Sequence, residues 1–146
     1  MQAPEPGAIQ TDVKYSPVLP DQSAADSERP RALDVRPGLL VEQDVLKELG
    51  TGLYLSNLHY LNWSDPVSAR VTGMTRYACF WVDGGQIVGP IKDLRWDESL
   101  YGALGSKLMA LTAQAEIDPA VDTYFQRALG GSRTPGALID QFTFTL

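Results

Sequence analysis

One cysteine and one histidine in 146 residues leave this chain little soft-ligand or redox chemistry. Cys79 has no second thiol for an internal disulfide, and one chain alone cannot build a multi-cysteine zinc or iron–sulfur site from it. Long apolar runs are missing too; none approaches the roughly 20 residues that cross a bilayer as a helix, so no membrane span is expected. Basic clusters are absent. Twelve Lys and Arg are scattered among eighteen Asp and Glu, for a net charge of -6, which repels phosphate backbones and removes nucleic acid from the expected partners. The opening MQAPEPGAIQTD has neither a basic n-region nor an apolar h-region, so no secretory or transit signal is read and a cytoplasmic location is the default. GxGxxG, P-loop, GxSxG and HExxH patterns do not occur, which leaves nucleotide use and serine hydrolysis without support.

What is present fits one globular domain: 44% hydrophobic and 21% charged residues on a chain long enough to bury a core. Residues 1–38 hold six of the ten prolines and no sustained periodicity, and read as a flexible leader, with a strap along a fixed path as the alternative. The domain is placed at 39–146. Val41, Val45 and Leu49, with Leu46 beside them, recur at helical spacing and stop at Gly50, predicting a short helix. Leu53 to Trp63 reads as a largely buried strand. Arg76–Val82 and Gln86–Ile91 flank Asp83, Gly84 and Gly85, the pattern of a β-hairpin. Asp97 followed by Leu100, Leu104, Leu108 and Leu111 predicts a second helix, despite Gly102 and Gly105. Asp118 and Pro119 ahead of Val121, Phe125 and Leu129 predict a third. The tail from Gly136 alternates Leu138, Asp140, Phe142, Phe144 and Leu146 against its neighbours, as a strand does.

Three segments, Leu49–Asn62 (LGTGLYLSNLHYLN), Thr72–Leu100 (TGMTRYACFWVDGGQIVGPIKDLRWDESL) and Pro135–Leu146 (PGALIDQFTFTL), resemble the C-terminal domain of the TldD/PmbA zinc peptidases, once called modulators of DNA gyrase. The second is the most specific, with Gly-Met-Thr-Arg feeding an aromatic strand, a glycine turn, Gly89-Pro90 and Lys92-x-x-Arg95. The resemblance implies an α+β fold of predominantly antiparallel sheet, barrel-like or sandwiched, with two or three short helices. It further implies a metallopeptidase context, in which metal is held by the two histidines of HExxxH and a cysteine near the C-terminus. Neither element is in this sequence: His59 is the single histidine and residues 127–146 contain no cysteine. The family works as a pair of subunits, one binding zinc and one not, and this chain resembles the metal-free type more closely.

His59 and Cys79 remain as possible ligands, with Asp65, Asp83 or Glu98 to complete a site, but a catalytic zinc wants three protein ligands and an open position. The stronger reading makes His59 a hydrogen-bonded strand residue and Cys79 a small buried hydrophobe. A Cys–His nucleophilic pair needs an electropositive, partly exposed thiol, and alternation puts Arg76 on the opposite face from Cys79. Arg70 and Arg76 bracket Thr72, Gly73 and Thr75, either a peptide-holding cluster or, the preferred reading, a solvated loop leading into the hairpin. The aromatic set Tyr54, Tyr60, Trp63, Tyr77, Phe80, Trp81 and Trp96 reads as mostly core. No catalytic, metal or cofactor residue is therefore assigned. The expected function is that of a non-catalytic accessory subunit acting by protein association, with a metal-bearing TldD/PmbA-type relative or as a homodimer. The alternatives are a fragment of a split or truncated gene without independent function and an independent metallopeptidase, for which the ligands are lacking.

Overall fold

The computed structural model describes residues 32–121 and 130–145. Most of the leader, residues 122–129 of the third predicted helix and Leu146 lie outside them. Among the described residues strands dominate, in three sheets: β1 (Ala32–Asp34), β9 (Gly131–Ile139) and β8 (Leu108–Pro119) in that order; β10 (Phe144–Thr145), β7 (Arg95–Ser99), β4 (Arg70–Thr75) and β3 (Leu58–Asp65); and β2 (Gly52–Leu55), β5 (Cys79–Asp83) and β6 (Gln86–Pro90). Among the described residues every pairing between these strands is antiparallel except β1 with β9, so the predominantly antiparallel fold expected from the resemblance is found.

β1 (Ala32–Asp34) lies along β9 (Gly131–Ile139), and an exposed Arg133–Asp34 ion pair at 3.0 Å adds little beyond the backbone ladder. The chain then crosses to β8 (Leu108–Pro119), where Gly38 N–H donates to the Thr112 carbonyl at 2.9 Å and Ala113 N–H to the Leu40 carbonyl at 2.7 Å. β8 is irregular between Leu111 and Ala115. There the buried Thr112 hydroxyl accepts from Gly136 N–H at 2.8 Å and donates to the Gln114 carbonyl at 2.7 Å, replacing ladder bonds that the irregularity forfeits.

The first predicted helix is present as a 3₁₀ turn, Glu42–Asp44, continuing into α1 (Val45–Leu49). Gly50 ends it where the sequence placed the stop, at a positive φ of 65° but with ψ -90°, outside the left-handed helical conformation. The stretch predicted as one strand is two: β2 (Gly52–Leu55) pairs with β5 (Cys79–Asp83), whereas β3 (Leu58–Asp65) pairs with β4 (Arg70–Thr75). The chain changes sheets between them, and β3 is mostly exposed, not buried. The hairpin is found as predicted, with β6 (Gln86–Pro90) returning on β5 through Gly84 and Gly85, both at positive φ.

Three expectations fail here. The helix read from Asp97 to Leu111 is instead β7 (Arg95–Ser99), a single π-helical turn at Gly102–Ser106 and the start of β8. Long-range pairing of β7 with β4, and of β8 with β9, overrides a leucine period weakened by two glycines. Asp118 and Pro119, read as the start of the third helix, end β8 opposite Ser132 and Gly131. The tail alternation is interrupted: Gln141 at φ 55° breaks the strand before β10 (Phe144–Thr145) pairs with β7. No described helix is long and apolar enough to cross a membrane.

Candidate functional site

The residues considered for metal or nucleophilic chemistry are divided between sheets. Cys79 and Asp83 lie on β5, His59 and Asp65 on β3, and Glu98 on β7. Among the described residues no three His, Cys, Asp or Glu side chains gather as a metal set. Cys79 is buried and its thiol donates to the Arg76 carbonyl at 3.3 Å, while the Arg76 guanidinium stacks 5.1 Å over the exposed Tyr77 ring. His59 meets Tyr60 edge-on at 4.7 Å. The Thr51 hydroxyl donates to Asp83 at 2.8 Å. Asp65 accepts from the Ser68 hydroxyl at 2.5 Å and from Val67 N–H at 3.1 Å, and these bonds hold its carboxyl below the usual range.

The loop expected between Arg70 and Thr75 is β4, held between β3 and β7 in its sheet. Arg70 is committed to Asp97, its Nε donating to Oδ1 at 2.7 Å and its Nη2 to the main-chain carbonyl at 3.1 Å. The Ser64 hydroxyl and Arg70 hold Asp97 below its ordinary pKa against partial burial. Thr72 donates to the Trp96 carbonyl at 2.8 Å. The polar groups of this segment thus join strands rather than present an anion site.

Glu98 is the most deeply buried carboxylate among the described residues, 3% exposed. Lys107 Nζ donates to its Oε2 at 2.7 Å, the Thr143 hydroxyl and N–H do so at 2.9 and 3.1 Å, and Ser99 N–H reaches Oε1 at 2.9 Å. Burial alone would raise its pKa, but Lys107 and the other donors outweigh it and bring the carboxyl down to about 2. With Lys107 also donating to the Gln141 carbonyl at 3.0 Å, Glu98 ties β7, the end of the π-helical turn and the segment before β10 into one unit. It is a structural latch.

Of the seven aromatic residues expected to be mostly core, Trp96 is the buried one. Its ring packs against Phe142 at 5.2 Å, and Phe142 against Phe144 at 5.4 Å. Tyr60, Trp63, Tyr77 and Trp81 are exposed. Four exposed apolar side chains lie on β3, an edge strand of its sheet, where Leu58, Tyr60, Leu61 and Trp63 expose 38%, 75%, 60% and 53% of their surface. β3 contains no Lys, Arg or Pro, the residues that commonly protect such an edge. A bulge sets Tyr60 and Leu61 against Gly73 alone, and Tyr60 takes φ 54°, a costly conformation for a bulky side chain. Sequence reasoning missed this edge because burial and bulging depend on which strand lies alongside.

No curated protein sequence matches the chain. Its fold is similar to that of TldE from Thermococcus kodakarensis, with a TM-score of 0.60 at 12% identity over 79% of this chain and 24% of that one. It is also similar to a protein from Thermotoga maritima described as a modulator of a DNA gyrase, with a TM-score of 0.58 at 16% identity over 80% of this chain and 24% of that one. At these identities the likeness is one of fold, and the chain spans about a quarter of the length of either neighbour. The family model for the PmbA/TldA metallopeptidase C-terminal domain matches residues 23–146. That match runs over most of the sequence and agrees with the shared fold, and the chain belongs to the PmbA/TldA metallopeptidase C-terminal domain family.

Proposed function

We propose that this domain works in the cytoplasm by protein association, as the non-catalytic partner of a metal-bearing TldD/PmbA-type subunit, and that β3 is the strand it offers. The observation that carries this reading is the exposed, bulged edge bearing Leu58, Tyr60, Leu61 and Trp63. An extended segment added to such an edge gains main-chain hydrogen bonds, and the side chains on either side of it supply apolar contact. The family's metallopeptidase character supports the choice of partner. The commitment of Asp65, Asp97 and Glu98 to internal donors supports a role without chemistry of its own.

Light scattering on the chain alone and mixed with a metal-bearing TldD/PmbA-type protein from the same cell tests this. A stable mixed complex is expected, weakened at least tenfold when Leu61→Lys and Trp63→Lys place two charges on the edge. A homodimer sensitive to the same substitutions would keep β3 as the interface and change the partner. A monomer indifferent to the relative would leave the reading of a gene fragment without independent function.

A further inference from the structure

A second surface is independent of β3. At the start of β8, Met109 and Leu138 of the β8–β9 pair meet Leu39 and Val41 of the crossing segment, and Asp44 and Glu48 of the helical turn stand over them, around an open groove of about 320 Å³. Leu39 is 94% exposed and Met109 66%, far more than packing of this domain on itself requires. Both charged residues lining the groove are acidic. The one cation of α1, Lys47, is not among the residues lining the groove, and its backbone lies beside the β5–β6 turn, where an added Cβ at Gly85 would come within 3.3 Å of its Cα. Lys107, next in line before β8, is already held by Glu98.

We infer that this groove docks an extended segment of another protein carrying apolar side chains next to Lys or Arg. The apolar lining, with Leu39 and Met109 projecting into solvent, accepts the first, and Asp44 with Glu48 attract and orient the second. Charge complementarity selects a basic partner segment over a second copy of this chain, whose net charge of -6 would meet the same sign.

The probe is a fluorescein-labelled octapeptide of alternating leucine and lysine, titrated with the full chain and followed by anisotropy at moderate salt. Binding is expected, with affinity falling about tenfold when Asp44→Lys is combined with Glu48→Lys, the scale of two exposed ion pairs made repulsive. Leu39→Ser with Met109→Ser tests the apolar part and is expected to weaken binding similarly, at positions exposed enough to leave folding intact. The control, Glu116→Lys with Asp118→Lys, makes the same change in net charge on the exposed far part of β8 and should leave affinity within twofold. Equal weakening by the control, equal binding of a leucine–glutamate octapeptide, or no binding would each overturn the inference. Self-association of the chain abolished by Leu39→Ser with Met109→Ser would also overturn it, giving the groove to a second copy.

Discussion

Gly73→Ala is expected to destabilise the domain by about 2 to 3 kcal/mol, the cost of forcing an added methyl group into close-packed surroundings. Gly73 lies on β4 opposite Trp96 of β7, and a Cβ there would fall 2.8 Å from Trp96 Cζ2 and 2.9 Å from the His59 carbonyl oxygen. Neither neighbour can easily withdraw. The Trp96 ring is 3% exposed and packed against Phe142, and the His59 carbonyl belongs to the backbone where β3 bulges. Urea denaturation should show a lower midpoint at unchanged slope. Trp96→Phe removes the nearer atom together with an indole N–H that has no hydrogen-bond partner, so Gly73→Ala should cost less in that background. A double-mutant cycle measures the difference, and strictly additive effects would show that ring and glycine are not coupled. Because Tyr60 and Leu61 bulge over this glycine, the substitution should weaken association as well.

Glu98→Gln is expected to cost about 3 kcal/mol, since it leaves Lys107 half-sheltered without its counter-charge and breaks a latch spanning three segments. Acid should act on the same latch. The folded-state pKa of Glu98 is lowered from 4.5 to about 2. Its contribution is therefore complete above pH 4.5 and disappears as pH falls towards 2, by about 3 kcal/mol for a shift of this size. Asp65 and Asp97 are lowered too and work in the same direction. Denaturant midpoints followed from pH 6 to pH 2 should fall in the wild type, with the Glu98→Gln variant starting lower and falling less. Parallel curves for the two proteins would remove Glu98 from the acid response.

Local chemistry made some elements readable in advance. Asp83-Gly84-Gly85 identified the β5–β6 hairpin, and Gly50 after a four-residue apolar period identified the first helix, because turn and cap requirements act within a few residues. β7 and β8 were hidden. Leu100, Leu104, Leu108 and Leu111 carry a helical period, and the partners that make strands of this region, β4 and β9, pair with it at long range, as Met74 with Arg95 and Leu108 with Ile139. Glu98 was visible as an acidic residue, but its partner Lys107 is brought to it by a widened turn that no residue pattern announces. The aromatic residues read as core because hydrophobicity says nothing about which side of an edge strand is left open. The family resemblance rested on motifs and held across residues that periodicity had misread.

Hydrogen exchange of the β3 amides, in the chain alone and in a mixture with a metal-bearing TldD/PmbA-type protein, tests association through this edge most directly. Outward-facing N–H groups of Leu58–Asp65 should exchange quickly in the free chain and become protected in the mixture, while β6 and β1 remain unchanged. Unaltered β3 exchange in a mixture that light scattering shows to be complexed would contradict it.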